Sequence, residues 1–290
     1  MDIFEAEVSA ILASSIISPA DIRRSVREKL VQYGSPTDIE VLNDWENLRP
    51  TLMAMAIREQ EIASIVHTES TVNDDVPITQ LRNLQIKNRG HFKQPLLDEI
   101  AKTTKDLTTR GDSRLTDPTH TAQEFISTVA RNLLESINRG GNALDALAEQ
   151  HDVPQKDITD TTTLREFKQL ARMRSLAKIA VKQLELDLDH IWPKLRDTKI
   201  PSEIIQETIR KARKTAPRAN GSDLGDAYLA CLSPYVDAII VDKRTHEFMT
   251  QGARRDPYFR EMIGFFEKAT SYRQLPEILN RYPAGGQLKE

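Results

Sequence analysis

The stretch 220–243, NGSDLGDAYLACLSPYVDAIIVDK, decides the fold prediction for this chain. Its first half, LGDAYLACL, has the apolar content of a short helix, and Ser233-Pro234 is a helix-stopping pair. The run within YVDAIIVDK predicts a buried strand, because it is short, apolar, β-branched and bounded by turn residues. A helix over 257–269 and a weaker strand near Phe266–Thr270 are expected next, so the segment 201–290 is interpreted as a small α/β part.

Outward from this stretch, the chain is predicted to be mostly helical. Apolar residues recur every three or four positions, which is typical of helices with one buried face. The longest such run, about 163–192, predicts a single amphipathic helix, whereas Pro50 is expected to end a helix. Residues 67–120 are polar and are expected to be irregular, apart from a short helix around Pro95–Thr104. The predicted fold is mainly α with a small α/β part, and the helical region 1–200 is either separate from that part or packed on it as an insertion.

The composition bounds the class of protein. The chain has 290 residues, 39% hydrophobic and 29% charged, so it can bury a core. Its net charge of -3 excludes a uniformly basic nucleic-acid coat but allows a local basic patch. The single cysteine excludes an internal disulfide and a thiol-rich zinc site. Neither a membrane span nor a positively charged signal sequence is visible, so no membrane association is predicted and a cytoplasmic location is expected.

Three aspartates surround the predicted strand and the helix before it. Asp223 and Asp226 are three residues apart at a helix start, so they can lie on one side of it, and Asp242 follows the strand. Gathered carboxylates favour a hard divalent cation, Mg²⁺ or Mn²⁺, which can activate water for phosphodiester hydrolysis. Each aspartate also has a structural interpretation, as an N-cap, a partner of the helix dipole or a turn residue. Both interpretations stay open at this point.

The order of helix, Ser-Pro stop, strand and aspartate resembles the C-terminal half of a PIN-like domain. The resemblance covers about residues 200–282 and includes the Pro-Tyr-x-Asp step, the strand-end Asp-Lys pair and the closing segment SYRQLPEIL. PIN-like domains resemble small Rossmann-like parallel sheets flanked by helices, and active members are metal-dependent nucleases, usually acting on RNA. The resemblance implies that Asp226 and Asp242 are catalytic Mg²⁺ or Mn²⁺ ligands, that Asp223 is an accessory ligand, and that Lys243 contacts the scissile phosphate.

The chain departs from the PIN-like pattern at its front. The family opens with an apolar strand ending in Asp, whereas Asp2 has no strand before it and Asp21 matches the second family acid only loosely. This departure leaves two alternatives open. The metal site is incomplete, altered or lost, or the start of the chain is truncated.

A basic cluster precedes the aspartates. It consists of Arg210, Lys211, Arg213, Lys214 and Arg218. One interpretation is a surface that holds a nucleic-acid backbone beside the acidic residues. The other is compensation of the helix dipole, which explains two or three of these charges.

The leading hypothesis from the sequence is a metal-dependent nuclease that hydrolyses RNA or DNA, with RNA favoured. The resemblance to PIN-like domains suggests a toxin or an antiviral defence component. The alternative is a non-catalytic helical scaffold or interaction subunit with a degenerate PIN-like end, since the N-terminal acid is missing. A homo-oligomer and a complex with another protein are both compatible with these hypotheses.

Overall fold

The computed structural model describes residues 3–13, 19–33, 45–69, 74–83, 93–138, 142–214 and 216–281. Over these residues the chain is mainly helical with one two-stranded parallel sheet, which confirms the predicted fold class at this level. The α-helices are α1 Ile3–Ala13, α2 Pro19–Tyr33, α3 Trp45–Glu69, α4 Lys93–Arg110, α5 Pro118–Asn138, α6 Ala143–Gln150, α7 Leu164–Gln183, α8 Leu188–Asp197, α9 Pro201–Arg213, α10 Asp223–Ala230, α11 Lys243–Arg255, α12 Pro257–Met262 and α13 Leu275–Arg281. Single 3₁₀ segments cover Ile78–Asn83, Gln155–Asp157 and Tyr272–Gln274. None of the helices in these described ranges is long and apolar enough to cross a membrane.

The chain divides into two compact units. The first comprises residues 1–59, 180–216 and 222–290, and the second comprises residues 60–179 and 217–221. The predicted boundary at residue 200 therefore lies inside the first unit. Helices α1 and α2 group with the α/β part, and the helical segment that forms the second unit is inserted in the sequence of the first.

The sheet of the first unit pairs β1, Ala238–Val241, with β2, Phe265–Lys268. The strands are parallel, with Ala238 opposite Phe265 and Val241 opposite Lys268, and α11 and α12 form the crossover between them. Both strands appear where the sequence predicts them. The helix expected over 257–269 is too long, because the backbone becomes extended at Ile263 and its second half forms β2.

An apolar core lies against β1 and holds the surrounding helices. Its buried members come from α9, α10, β1, α11 and α12 and include Ile205, Ile209, Ala227, Ile239, Val241, Phe248, Met249 and Phe259. Gly252 allows α11 to pack closely, since a Cβ there would clash with the Thr208 side chain and lie 3.0 Å from the Phe259 ring. Burying one large apolar side chain stabilises a fold by roughly 1.5–3 kcal/mol. Several such side chains hold the helices against β1 and thereby position the residues around its end.

Helix α9 receives its N-terminal cap from a residue far away in the sequence. Ile200, at the N-cap position, makes no side-chain hydrogen bond. Instead the Ser202 N–H donates to the Glu7 carboxyl group of α1 at 2.9 Å, and the Ser202 and Tyr235 hydroxyls also bond to that group. Glu7 is fully buried, and burial raises its pKa from the ordinary 4.5 to about 7 in spite of these hydrogen bonds. The sequence analysis did not identify this cluster.

The single helix predicted over 163–192 is wrong, because two helices occupy this range. Glu185 adopts a left-handed conformation with φ of 54°. The Leu186 N–H donates to the Val181 carbonyl at 2.9 Å, which ends α7 in a Schellman motif. Asp187 then caps α8 by accepting from the Asp189 N–H. Glycine is the usual residue at such a helix end, so a glutamate there gives no stop signal.

Two further helix predictions are wrong. Helix α3 continues through Pro50, which lies in its second turn and removes only one N–H from the hydrogen-bond ladder. Helix α4, Lys93–Arg110, contains the short helix expected around Pro95–Thr104 but continues six residues further into the segment expected to be irregular. The Thr108 and Thr109 hydroxyls donate to backbone carbonyls four residues earlier, and the polar, Thr-rich sequence is therefore accommodated within the helix.

The second unit has its own core and includes the loop 217–221. Its buried apolar residues are Ile78, Leu144, Ala148, Val153, Ile158, Phe167 and Ala171. The buried Asp112 accepts hydrogen bonds from the Gly221 N–H and from Arg114, and its pKa is lowered to about 2, chiefly by Arg114. The loop is thus anchored within this unit by a buried carboxylate.

Candidate carboxylate site at the end of strand β1

Asp242 lies at the carboxyl end of β1, where the strand passes directly into α11. It is the N-cap of this helix, and its Oδ1 accepts a hydrogen bond from the Thr245 N–H at 2.6 Å. The side chain is half-buried. The carboxyl ends of parallel strands are the usual place for ligand sites in open α/β sheets, so this position is the natural centre of a candidate site.

Asp226 approaches Asp242 from the first turn of α10. It is half-buried, and burial raises its pKa. The negative charges of Asp242 and Asp223 raise the pKa further, against a hydrogen bond from Ser222 and the positive charge of Arg213. The like charge of Asp242 is thus the largest contribution to the raised pKa of Asp226 after burial.

Asp223 occupies a different environment, although it starts the same helix. Its side chain is only 5% exposed. Arg244 Nη1 lies 3.4 Å from one carboxylate oxygen, and Arg213 Nε lies 3.9 Å from the other. Arg213 Nη2 also donates to the backbone carbonyl of Asp223 at 2.7 Å. Two guanidinium groups therefore balance this carboxylate, and its interactions are those of a buried ion-pair network.

The carboxylates fit a divalent cation only in part. Among the residues that the structure describes, no group of three His, Cys, Asp or Glu side chains is arranged to hold a metal ion. Asp223 faces two arginines, which disfavour a cation at that carboxylate. That leaves Asp226 and Asp242, and one or two carboxylates are the usual protein ligands of Mg²⁺, which completes its shell with water and phosphate oxygens.

The residues of the predicted basic cluster lie in different environments. Arg213 is buried with Asp223, so it is not available to a nucleic-acid backbone, and its assignment to that surface is corrected. Arg210 bonds to Glu207 through two nitrogens, at 2.7 and 2.8 Å, and Lys211 Nζ lies 3.5 Å from the same carboxylate. Lys214 is half-buried at the end of α9, whereas Arg218 is exposed and belongs to the second unit.

The sequence analysis did not single out three charged side chains near the end of β1, which are Arg244, His246 and Glu267. Lys243, predicted to contact phosphate, is exposed at the first position of α11, but Arg244 is the residue that reaches Asp223. His246 Nε2 lies 3.5 Å from Glu267 Oε1 of β2. The spacing of Arg244 after the strand-end aspartate is the one signal that could have drawn attention to it, whereas pairing His246 with Glu267 requires knowledge of the parallel register.

The other aspartates considered in the sequence have local roles or lie outside the description. Asp21 bonds to Arg24 at 2.6 Å on α2, and Asp2 lies outside the described residues. Asp237, at the opposite end of β1, bonds to Arg27 at 2.8 and 3.0 Å. The structure therefore supplies no N-terminal acid at the site from the residues that it describes.

No protein-family model, curated protein or solved structure shows significant similarity to the chain. The site is therefore interpreted from its own residues and geometry.

Proposed function

We propose that this protein is a metal-dependent nuclease of the PIN-like type that hydrolyses phosphodiester bonds in RNA or DNA. The observation that carries the proposal is the placement of Asp242 at the carboxyl end of β1 and of Asp226 in the first turn of α10, where the negative charge of Asp242 adds to burial in raising the pKa of Asp226. A divalent cation between two such carboxylates would relieve the repulsion, so the pair favours cation binding over isolation.

In this proposal, Asp226 and Asp242 hold Mg²⁺ or Mn²⁺ on the exposed side of the site. The ion, when bound, supplies a polarised phosphoryl oxygen and an activated water. Asp223 does not serve as a ligand in this arrangement. It positions Arg213 and Arg244, and Arg244, which is a quarter exposed, is the cation suited to approach a phosphate next to the metal.

The substrate class follows from the same charges. The guanidinium of Arg244 and the exposed ammonium of Lys243 would approach the anionic oxygens of a phosphodiester held beside Asp226 and Asp242. These contacts recognise the nucleic-acid backbone and do not read base sequence. The preference for RNA over DNA and the role as a toxin or defence component both rest only on the resemblance to PIN-like domains.

The direct test is cleavage of end-labelled single-stranded RNA and DNA by the full chain in Mg²⁺, in Mn²⁺ and in EDTA. We expect metal-dependent cleavage that falls by roughly a hundredfold or more in Asp226→Asn and in Asp242→Asn, since each removes a ligand charge. Asparagine caps helices about as well as aspartate, so Asp242→Asn preserves the start of α11.

A matched control is Asp256→Asn, because Asp256 caps α12 through the Tyr258 and Phe259 N–H groups and lies at another helix start of the same unit. Its cleavage rate should equal that of the wild type. Equal activity of the wild type, Asp226→Asn and Asp242→Asn would refute the site assignment, and absence of cleavage of any substrate would refute the nuclease.

The second candidate function is a non-catalytic scaffold or interaction subunit. Its specific support is Asp223, whose carboxylate lies between Arg213 and Arg244 and is thereby removed from the predicted three-ligand set. Thermal unfolding in EDTA, Mg²⁺ and Mn²⁺ separates the two functions. A metal-holding pair raises the melting temperature in the wild type but not in Asp226→Asn, whereas a scaffold unfolds at the same temperature in all three conditions.

A further inference from the structure

Exposed arginines lie where α11 passes into α12, and the proposed catalytic pair does not involve them. Arg254 and Arg255 are the last two residues of α11, and Arg260 follows in α12. All three residues are exposed. None of them forms an ion pair with a carboxylate in the part of the chain that the structure describes. Their positive charges are therefore available to a ligand from outside the molecule.

Two further cations act on Tyr258, the residue that lies between Arg255 and Arg260 at the start of α12. Lys199 Nζ lies 4.9 Å from the centroid of the Tyr258 ring. Burial raises the pKa of the Tyr258 hydroxyl, and the positive charge of Arg23 on α2 acts in the opposite direction. Neither Lys199 nor Arg23 forms an ion pair with a described carboxylate. The basic surface of the first unit thus consists of Arg23, Lys199, Arg254, Arg255 and Arg260.

The basic surface differs from the cluster on α9 that the sequence predicts to bind nucleic acid. Arg210 and Lys211 share the carboxylate of Glu207, and Arg213 is buried. A cation that already lies beside a carboxylate attracts an external anion less, because the two opposite charges largely cancel at a distance. A partner that carries many negative charges is therefore attracted more strongly by the basic surface than by α9.

The chemistry of the basic surface favours the phosphate backbone of a nucleic acid as this partner. Three of its five members are arginines, whose planar forks of N–H donors match phosphate oxygens. A backbone also repeats its phosphates at short intervals, so several cations can bind at once, and each releases a counterion.

A bilayer and a protein are poorer partners for this surface. Helices α11 and α12 carry none of the exposed large apolar side chains found among the described residues. Membrane-bound amphipathic helices and the cores of protein interfaces both require such apolar area.

Helix α11 connects the basic surface to the candidate site. It begins directly after Asp242 and ends at Arg255, and its thirteen residues span about 20 Å. This length corresponds to about six nucleotides at roughly 3.4 Å per nucleotide. We propose that the basic surface binds the phosphate backbone of a nucleic-acid strand, about six nucleotides from the bond that is cut beside Asp226 and Asp242. The separation in nucleotides rests on the proposed nuclease function, whereas the binding itself does not.

The first test measures binding of fluorescein-labelled twelve-nucleotide single-stranded RNA and DNA to the full chain by anisotropy, in EDTA so that no cleavage occurs. Arg254→Gln/Arg255→Gln/Arg260→Gln should raise the Kd by roughly tenfold or more. The slope of log Kd against log salt should become shallower by about two, because three fewer cations neutralise phosphates on a single strand. Circular dichroism verifies that the variant is folded.

The matched control removes three exposed positive charges from the second unit. Lys105→Gln/Arg131→Gln/Lys156→Gln changes the net charge by the same amount and should leave the Kd within about twofold of the wild type. Glu261→Gln tests the sign of the effect, because it removes an exposed acid beside Arg260. It should lower the Kd by about two- to threefold, a gain that damage to the fold does not produce.

The second test compares kcat/KM in Mg²⁺ for oligonucleotides of four and twelve nucleotides. The wild type should favour the longer substrate by roughly tenfold or more, and the triple arginine variant should lose most of this preference. Binding that depends on the three arginines without any cleavage would refute the nuclease but support the basic surface. Equal Kd values for the wild type and the triple arginine variant, or an equal loss in the control, would overturn this proposal. So would a chain that binds phosphatidylcholine–phosphatidylglycerol vesicles but neither nucleic acid.

Discussion

Glu7 and Asp226 are two carboxyl groups in one unit whose pKa values are both raised, yet their surroundings differ. Glu7 is completely buried, and hydrogen bonds from Ser202 and Tyr235 satisfy it. Asp226 is half-buried beside the like charge of Asp242. A raised pKa therefore does not by itself indicate a functional site. The informative difference is that Glu7 is fully buried among hydrogen-bonding partners, whereas Asp226 is half-buried and feels the like charge of Asp242.

Asp223 extends this comparison, because it is a carboxylate that the fold buries beside opposite charges. Arg213 and Arg244 balance it, and Arg213 is itself so buried that burial lowers the pKa of its guanidinium in spite of Asp223. The same helix start thus holds a carboxylate paired with two arginines and, three residues later, one whose pKa burial and the like charge of Asp242 raise.

The largest effect is expected from breaking the compensated pair. Arg213→Leu leaves Asp223 buried with one remaining guanidinium at 3.4 Å and removes the hydrogen bond to its carbonyl. Losing one partner of a buried ion pair typically costs about 3–5 kcal/mol, so we expect that loss in the free energy of unfolding by urea titration.

Lys211→Leu provides the control for Arg213→Leu, because Lys211 is on the same helix but 56% exposed, and its change should cost less than about 1 kcal/mol. Adding Asp223→Asn to Arg213→Leu should recover part of the stability. Equal, small losses for the two single variants would show that Asp223 does not depend on Arg213.

Glu7→Gln is expected to have the next largest effect, and it depends on pH. The folded protein retains the Glu7 proton up to about pH 7, whereas the unfolded chain loses it near pH 4.5. Folding therefore binds a proton, and the contribution of Glu7 to stability is lost as the pH rises from 4.5 through 7. Glutamine mimics the protonated acid, so Glu7→Gln should match the wild type near pH 4 and exceed it by about 3 kcal/mol near pH 8.

The measurement is the free energy of unfolding by urea across this pH range. Glu203, Tyr235, Arg23 and Cys231 are the other titratable groups that act on this cluster, and they are present in both proteins. The control is Glu247→Gln, an exposed glutamate of α11, whose stability curve should run parallel to that of the wild type. A constant difference between Glu7→Gln and the wild type at every pH would contradict the assignment of the proton to Glu7.

The sequence predicts local features of this molecule better than it predicts contacts between distant residues. The strand at Ala238–Val241 follows from an uninterrupted β-branched run, and the start of α9 follows from Pro201. Glu7 could not be predicted, because the contact between Glu7 and Ser202 spans 195 positions and nothing in the pattern of α1 distinguishes a buried glutamate from an exposed one.

The aspartates of the candidate site show the same limit. The sequence could place Asp223 and Asp226 at a helix start and Asp242 at the end of a strand. The two arginines that face Asp223 were not, since a run of basic residues before it indicated an exposed patch rather than one buried guanidinium. The missing information is which side of α9 packs against α10, and this depends on tertiary packing.

A smaller effect is expected at Asp242, where charge and capping can be separated. Asp242→Ala loses the bond to the Thr245 N–H and should cost about 1 kcal/mol, whereas Asp242→Asn keeps a cap and should cost only a few tenths. Both variants remove the negative charge beside Asp226, so both should lower the pKa of Asp226 in a carboxyl-carbon NMR titration. Asp256→Ala should cost as much as Asp242→Ala and leave the pKa of Asp226 unchanged. If the pKa of Asp226 is the same in the wild type and in both Asp242 variants, the like charge of Asp242 does not distinguish Asp226 from Glu7.

The smallest effect is expected at the other end of β1. Asp237 accepts hydrogen bonds from a single nitrogen of Arg27, and the two side chains are 54% and 40% exposed. Exposed ion pairs contribute roughly 0–1 kcal/mol, because water screens the charges and ordering two side chains costs entropy. Asp237→Asn should therefore change the free energy of unfolding by less than about 1 kcal/mol, and a double-mutant cycle with Arg27→Gln should give a coupling that shrinks in high salt. A coupling as large as that between Arg213 and Asp223 would mean that exposure does not decide how this fold uses its carboxylates.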